Sequence, residues 1–126
     1  MLGTPWRHQG RRPGMALDCV GLVVCAARAA GWMEIPDRTD YDARPTGTEL
    51  LEIVRSCCDE VSPRLHRGDV VVLWMLDRTH PQHLGIATGD DTLIHSWTGG
   101  RCVTEDPLDP RWRARIHSTW KRRRAA

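Results

Sequence analysis

Leu17-Asp18-Cys19-Val20-Gly21-Leu22 is the stretch on which the reading of this chain turns. An acidic residue, a cysteine and then a small, apolar run mark the start of a helix with a thiol in its first turn. Cys19, Leu22, Val23, Ala26, Ala27 and Ala30 follow one helical face, so the spacing predicts a helix over 18–30. Asp18 suits the N-cap and Gly31 the C-terminal stop. Unpaired backbone N–H groups and the helix dipole favour an anion at that N-terminus. A cysteine there is biased toward thiolate, the form that attacks a carbonyl carbon.

The residues before this helix are turn-rich. Gly3, Pro5, Gly10, Pro13 and Gly14 break any periodicity, and residues 1–16 read as an irregular loop carrying Trp6, Arg7, His8 and Gln9. After the helix, residues 32–47 read as a loop. Thr46 and Glu49 have capping-box spacing, and a second helix is expected to run to about Asp59, with Leu50, Leu51, Val54, Cys57 and Cys58 on its apolar face. From Gly68 the pattern changes to strands. They are expected over 69–75, 83–88, 92–97, 101–105 and 112–120, with Gly89-Asp90-Asp91 as a hairpin turn. Helices followed by an antiparallel meander make an α+β domain. The 126 residues fit one domain, with no internal repeat.

Composition excludes several classes. A formal net charge of +2 is too small to argue for nucleic acid. The excess is local, at Arg7, Arg11 and Arg12 and in Lys121-Arg122-Arg123-Arg124, and residues 121–126 read as a flexible basic tail. The five cysteines are odd in number and contain no C-x-x-C pair, which argues against a disulfide framework or a zinc ribbon and for a reducing compartment. No apolar run is long enough to span a bilayer, and no secretory h-region is present. His80 and His83 have no obvious third ligand, so neither a metal nor another cofactor is expected. Nothing functional follows from the bias to six Trp, one Tyr and no Phe.

A nucleophilic cysteine needs a base, and the base an orienting group. Of six histidines, His83 and His95 fall on neighbouring strands of one predicted hairpin. A two-residue loop would point them to opposite faces. A three-residue loop, which Gly89 suits, pairs residue 88 with 92 and puts His95 opposite Gly85, beside His83. Gly85 leaves room for an imidazole, and the second register is the expectation. From spacing alone, one cysteine and two histidines suit a structural role better than a catalytic one.

Gly3-Thr4-Pro5-Trp6, Gly10, Asp18-Cys19-Val20-Gly21, Arg67-Gly68-Asp69-Val70-Val71-Val72-Leu73, His83-Leu84-Gly85-Ile86 and Leu93-Ile94-His95 together resemble, in order, the motifs of NlpC/P60 cysteine peptidases. The resemblance implies a papain-like fold, in which the cysteine helix packs on an antiparallel sheet bearing the histidines. It implies Cys19 as nucleophile, His83 as base and His95 as the third polar residue. Asp18, Trp6 and Gln9 become candidates for substrate or oxyanion contacts. Val20 stands where the family carries serine, and Trp6 where it often carries tyrosine. The implied activity is hydrolysis of amide bonds in peptidoglycan stem peptides.

The Trp-Arg-His-Gln-Gly form most resembles short members from phage tails and gene transfer agents. It implies partners among tail or baseplate proteins and a chain made in the bacterial cytoplasm, then carried to the wall by a virion or tail-like particle. Two other outcomes stay open: a structural tail-tip subunit with a vestigial site, and an acyltransferase or amidase with the same dyad.

Overall fold

The computed structural model describes residues 1–43, 48–62 and 64–123. In chain order the elements are β1 (Arg11–Arg12), β2 (Ala16–Leu17), α1 (Cys19–Ala29), α2 (Glu49–Arg55), β3 (Cys58–Val61), β4 (Val70–Leu73), β5 (His83–Ala87), β6 (Thr92–Ser96), β7 (Val103–Pro107), α3 (Pro110–Arg113) and β8 (Ile116–Arg122). The architecture is α+β, with a small β1–β2 sheet and a six-stranded sheet in the order β3-β8-β4-β5-β6-β7.

The first helix forms where its sequence signals lie. Asp18 is extended and its carboxylate accepts from Gly21 N–H, closing the N-terminus. At the other end Gly31 adopts φ +99°, Gly31 N–H donates to the Arg28 carbonyl and Trp32 N–H to the Ala27 carbonyl. Those two bonds are a Schellman closure, which favours glycine because a Cβ resists positive φ.

Val20 and Val24 of α1, Leu50 and Val54 of α2, and Val72, Leu84 and Trp120 of the sheet share one buried cluster. The opposite sheet face carries Val71, Leu73, Ala87 and Leu93 against Leu108 and Trp112. Strand alternation explains the split: odd positions of β4 and β5 face α3, even positions face α1.

Four strands, β4 to β7, form the expected meander. The last strand then crosses back to pair antiparallel with β4, and β3 pairs with β8 from Cys58↔Arg122 to Val61↔Thr119. Three sequence expectations are corrected here. The second helix stops at Arg55 because residues 58–61 are taken by the β8 ladder. Residues 110–113 are a short helix, with Asp109 accepting from Trp112 N–H and proline in its first turn, so the last strand starts at Ile116 rather than Trp112. The basic run is built into the fold as far as Arg123. Lys121 and Arg122 lie in β8, and Arg123 donates to Asp59 and to the Arg55 and Cys58 carbonyls. Arg124 and the Thr46 of the expected capping box lie outside the described residues; Thr48 occupies the N-cap of α2.

Residues 1–16 are less irregular than expected. Arg11↔Leu17 and Arg12↔Ala16 pair across a turn, and Trp6 bridges to Leu17. This layer lies directly on α1: a Cβ added at Gly21 would come 1.9 Å from the Gly10 carbonyl oxygen. Both partners are backbone, so neither can swing aside. Gly21→Ala is therefore expected to destabilise the fold by about 3 kcal/mol through overpacking, read as a drop in the denaturant midpoint; an unchanged midpoint would contradict this contact.

Candidate active site

The β5–β6 hairpin has the register of a three-residue loop. Thr88 N–H donates to the Thr92 carbonyl, and Ile86 pairs with Ile94 and Ala87 with Leu93. Gly89 takes φ +89° in the turn. His83 and His95 thus leave the same face, and His83 Nε2 lies 2.7 Å from His95 Nδ1. Both rings are buried, His95 completely. Burial, and then the neighbouring His95, push the His83 imidazole well below its ordinary value. Burial also lowers His95, against the opposing hydrogen bond and charge of Asp106.

Cys19 comes from the other layer. It packs against the α1-side cluster. Its thiol is within hydrogen-bonding influence of the backbone N–H groups of Leu84, the residue after His83, and of Val20. The helix N-terminus therefore meets the sheet at the start of β5. A cleft of about 730 Å³ opens there, and Trp6, Cys19, Tyr41, His83, Trp97 and Arg115 are among the residues lining it. The cysteine and the first histidine thus share one cleft, and the second histidine stands behind the first.

Burial works against the thiolate that the helix N-terminus favours. Burial, followed by the Asp18 carboxylate, pushes the Cys19 thiol up to about 12, outweighing the Leu84 and Val20 N–H groups and Arg11. With the imidazole pushed down and the thiol pushed up, both shifts favour a neutral pair at rest. Only the thiolate alkylates, so iodoacetamide labelling of Cys19, mapped by peptide mass, is expected to keep rising above pH 9. A plateau below pH 7 would instead mean a resting thiolate–imidazolium pair.

Of the remaining candidates, Asp18 and Trp6 line the cleft. Asp18 is 3% exposed, and its oxygens accept from Gly21 N–H at 2.7 Å, Arg11 Nη1 at 2.9 Å, Gln9 N–H at 2.7 Å and Tyr41 Oη at 2.6 Å. All of its favourable acceptor positions are engaged, so it braces the loop layer against α1. The Gln9 side-chain amide donates to the Thr39 carbonyl, which holds the 37–41 loop rather than offering a donor to the cleft. Val20, at 1% exposure, belongs to the core and not to the substrate side. His80 pairs with Asp77 at 2.7 Å in its own loop. Among the described residues no group of three or more His, Cys, Asp or Glu side chains is placed to hold a metal ion, and no helix is long and apolar enough to cross a membrane.

Sequence reasoning missed Tyr41, Arg11 and the groups behind His95. Asp106 Oδ2 lies 2.7 Å from His95 Nε2, and Trp97 stacks on the His95 ring at 5.3 Å. Strand alternation places Thr104 and Asp106 on one face of β7, next to His95. That signal was available had the strand been carried one residue past Glu105.

The model of the NlpC/P60 family matches residues 3–121. The chain belongs to the NlpC/P60 family. Its fold is shared by solved NlpC/P60 proteins. A lipoprotein-like NLP/P60 protein of Staphylococcus aureus Mu50 superposes with a TM-score of 0.71 at 16% identity, over 98% of this chain and 38% of that one. An NlpC/P60 protein of Bacillus cereus ATCC 10987 gives 0.69 at 24% identity, over 97% and 36%. The NlpC/p60 domain of the peptidoglycan hydrolase SagA gives 0.62 at 21% identity, over 95% and 88%. This NlpC/P60 chain thus spans little more than a third of the first two. No curated protein matches it.

Proposed function

We propose that this NlpC/P60 chain is a cysteine peptidase that hydrolyses an amide bond of a peptidoglycan stem peptide. The observation that carries the proposal is a cysteine thiol and a paired, buried imidazole facing one cleft. Family membership and the likeness to the domain of a named peptidoglycan hydrolase support the substrate class.

The chemistry follows from a neutral resting pair. His83 takes the thiol proton as Cys19 Sγ attacks the carbonyl carbon. Negative charge then develops on the carbonyl oxygen, and backbone N–H groups at the helix start are the donors nearest to hand. His83 returns the proton to the leaving amine, leaving a thioester on Cys19. Water attacks the thioester with His83 again as base, releasing the acid and restoring the thiol. Proton transfer of this kind is typically worth ~100- to 10,000-fold.

Delivery to the wall by a phage-tail or gene-transfer-agent particle belongs to the same proposal. It is motivated by the Trp6-Arg7-His8-Gln9-Gly10 stretch, with tail or baseplate proteins as partners. The test of activity is digestion of purified peptidoglycan by the whole chain, with product masses identified. New free amino and carboxyl termini in the stem peptides are expected. Intact stem peptides after prolonged digestion would overturn the peptidase reading and favour a structural subunit. Sedimentation of the chain with purified particles checks delivery; absence from them would remove that part.

A further inference from the structure

We propose that Asp106 is a positioning residue that, through His95, dictates which nitrogen of His83 acts as the base. The reading rests on His83 being that base. The hydrogen bonds themselves do not depend on it.

One line of short contacts runs outward from His95. Trp97 Nε1 donates to Thr104 Oγ1 at 3.0 Å, and Thr104 Oγ1 donates to Asp106 Oδ2 at 2.7 Å. His95 Nε2 lies 2.7 Å from the same oxygen. An ionised carboxylate only accepts. Burial raises the Asp106 carboxyl, but the hydrogen bonds from His95 and Thr104 outweigh it and hold it below its ordinary range. Nε2 of His95 therefore carries the proton. A neutral imidazole then has its lone pair on Nδ1, so Nδ1 accepts from His83 Nε2–H across 2.7 Å. His83 is left with Nδ1 as its one unprotonated nitrogen. A His95 protonated on Nδ1 alone would instead turn its bare Nε2 toward the carboxylate, setting two acceptors 2.7 Å apart.

The surroundings hold this arrangement. Thr104 sits directly opposite His95 in the β6–β7 ladder, and Asp106 opposite Leu93. Trp97 stacks on the His95 ring at 12°, and Trp112 of α3 meets it edge-on at 4.7 Å. The ring is enclosed on both sides, so its orientation comes from packing and its tautomer from Asp106.

Nitrogen-15 spectra of the imidazoles in the full chain read the tautomer without any substrate. At neutral pH the wild type is expected to show His95 protonated on Nε2 and His83 on Nε2. A proton on Nδ1 of either ring would overturn the assignment. Asp106→Asn keeps the shape, but its amide can present donor or acceptor, so mixed His95 tautomers are expected. Hydrolysis is expected to show kcat falling at least ~10-fold with KM little changed. That is less than the roughly 10,000-fold loss when a directly orienting carboxylate is neutralised. Unchanged spectra and unchanged kcat in a folded Asp106→Asn would refute the positioning role. If Cys19→Ala proved as active as wild type, the peptidase reading would fail while the wild-type spectra still decided the tautomer.

Discussion

Cys19→Ala is expected to lower peptidoglycan hydrolysis by roughly 10,000-fold or more, to the level of substrate binding alone. The substitution removes the only group proposed to bond to the carbonyl carbon, and the cleft wall changes by a single sulfur. The fold should persist, because Cys19 is partly exposed and packs at the edge of its cluster. Cys19→Ser is expected to fail nearly as completely. The buried His83 imidazole is held well below its ordinary value. So weak a base can meet a thiol in the transition state, but a hydroxyl is harder still to deprotonate. Equal release of stem-peptide fragments by wild type and Cys19→Ala would end the account.

Asp18→Ala is expected to cost about 3–5 kcal/mol of stability, the loss typical when one partner of a buried ion pair is removed. The side chain is 4% exposed and pairs with Arg11, whose own side chain is 17% exposed. Its removal leaves the Tyr41 hydroxyl proton and the N–H groups of Gln9 and Gly21 without their acceptor and takes one of two carboxylates from Arg11, which keeps Asp37. It also uncaps α1, whose first residue is the nucleophile. Thermal unfolding of the variant should shift down by ten degrees or so, on the usual scaling for a domain of this size, and activity should fall with it. A variant as stable as wild type would mean that water replaces all four bonds at no cost. Asp18→Asn keeps a cap acceptor but lacks the charge facing Arg11, and is expected to fall between the two.

Much of this was legible in the chain where one local signal decided one local outcome. Asp18 and Gly31 bracket α1 because cap chemistry is local. Gly89 selects the three-residue turn, and a turn fixes register, so His83 and His95 meeting on one face followed from three residues. Their approach was legible too, since Gly85 lies opposite His95 in that register. Non-local contacts were not legible. Residues 56–59 continue a helical pattern, but the β8 ladder supplies bonds that outweigh it. Pro107 suggested a strand end at Glu105 and hid Asp106. Nothing in residues 9–11, 18 or 41 announces that they converge, because loops carry no periodicity to read. The burial that opposes a thiolate at Cys19 is not legible for a related reason. A helix dipole acts locally, whereas burial depends on the whole fold.

As the nucleophile, Cys19 becomes covalently acylated during turnover. The most direct measurement is the mass of the intact chain, quenched in acid seconds after mixing with a defined stem peptide. The expected result is an adduct equal to the acyl half of the substrate, mapped to Cys19 and absent from Cys19→Ala. Continued cleavage with no adduct on Cys19, or an adduct carried by another residue, would contradict it.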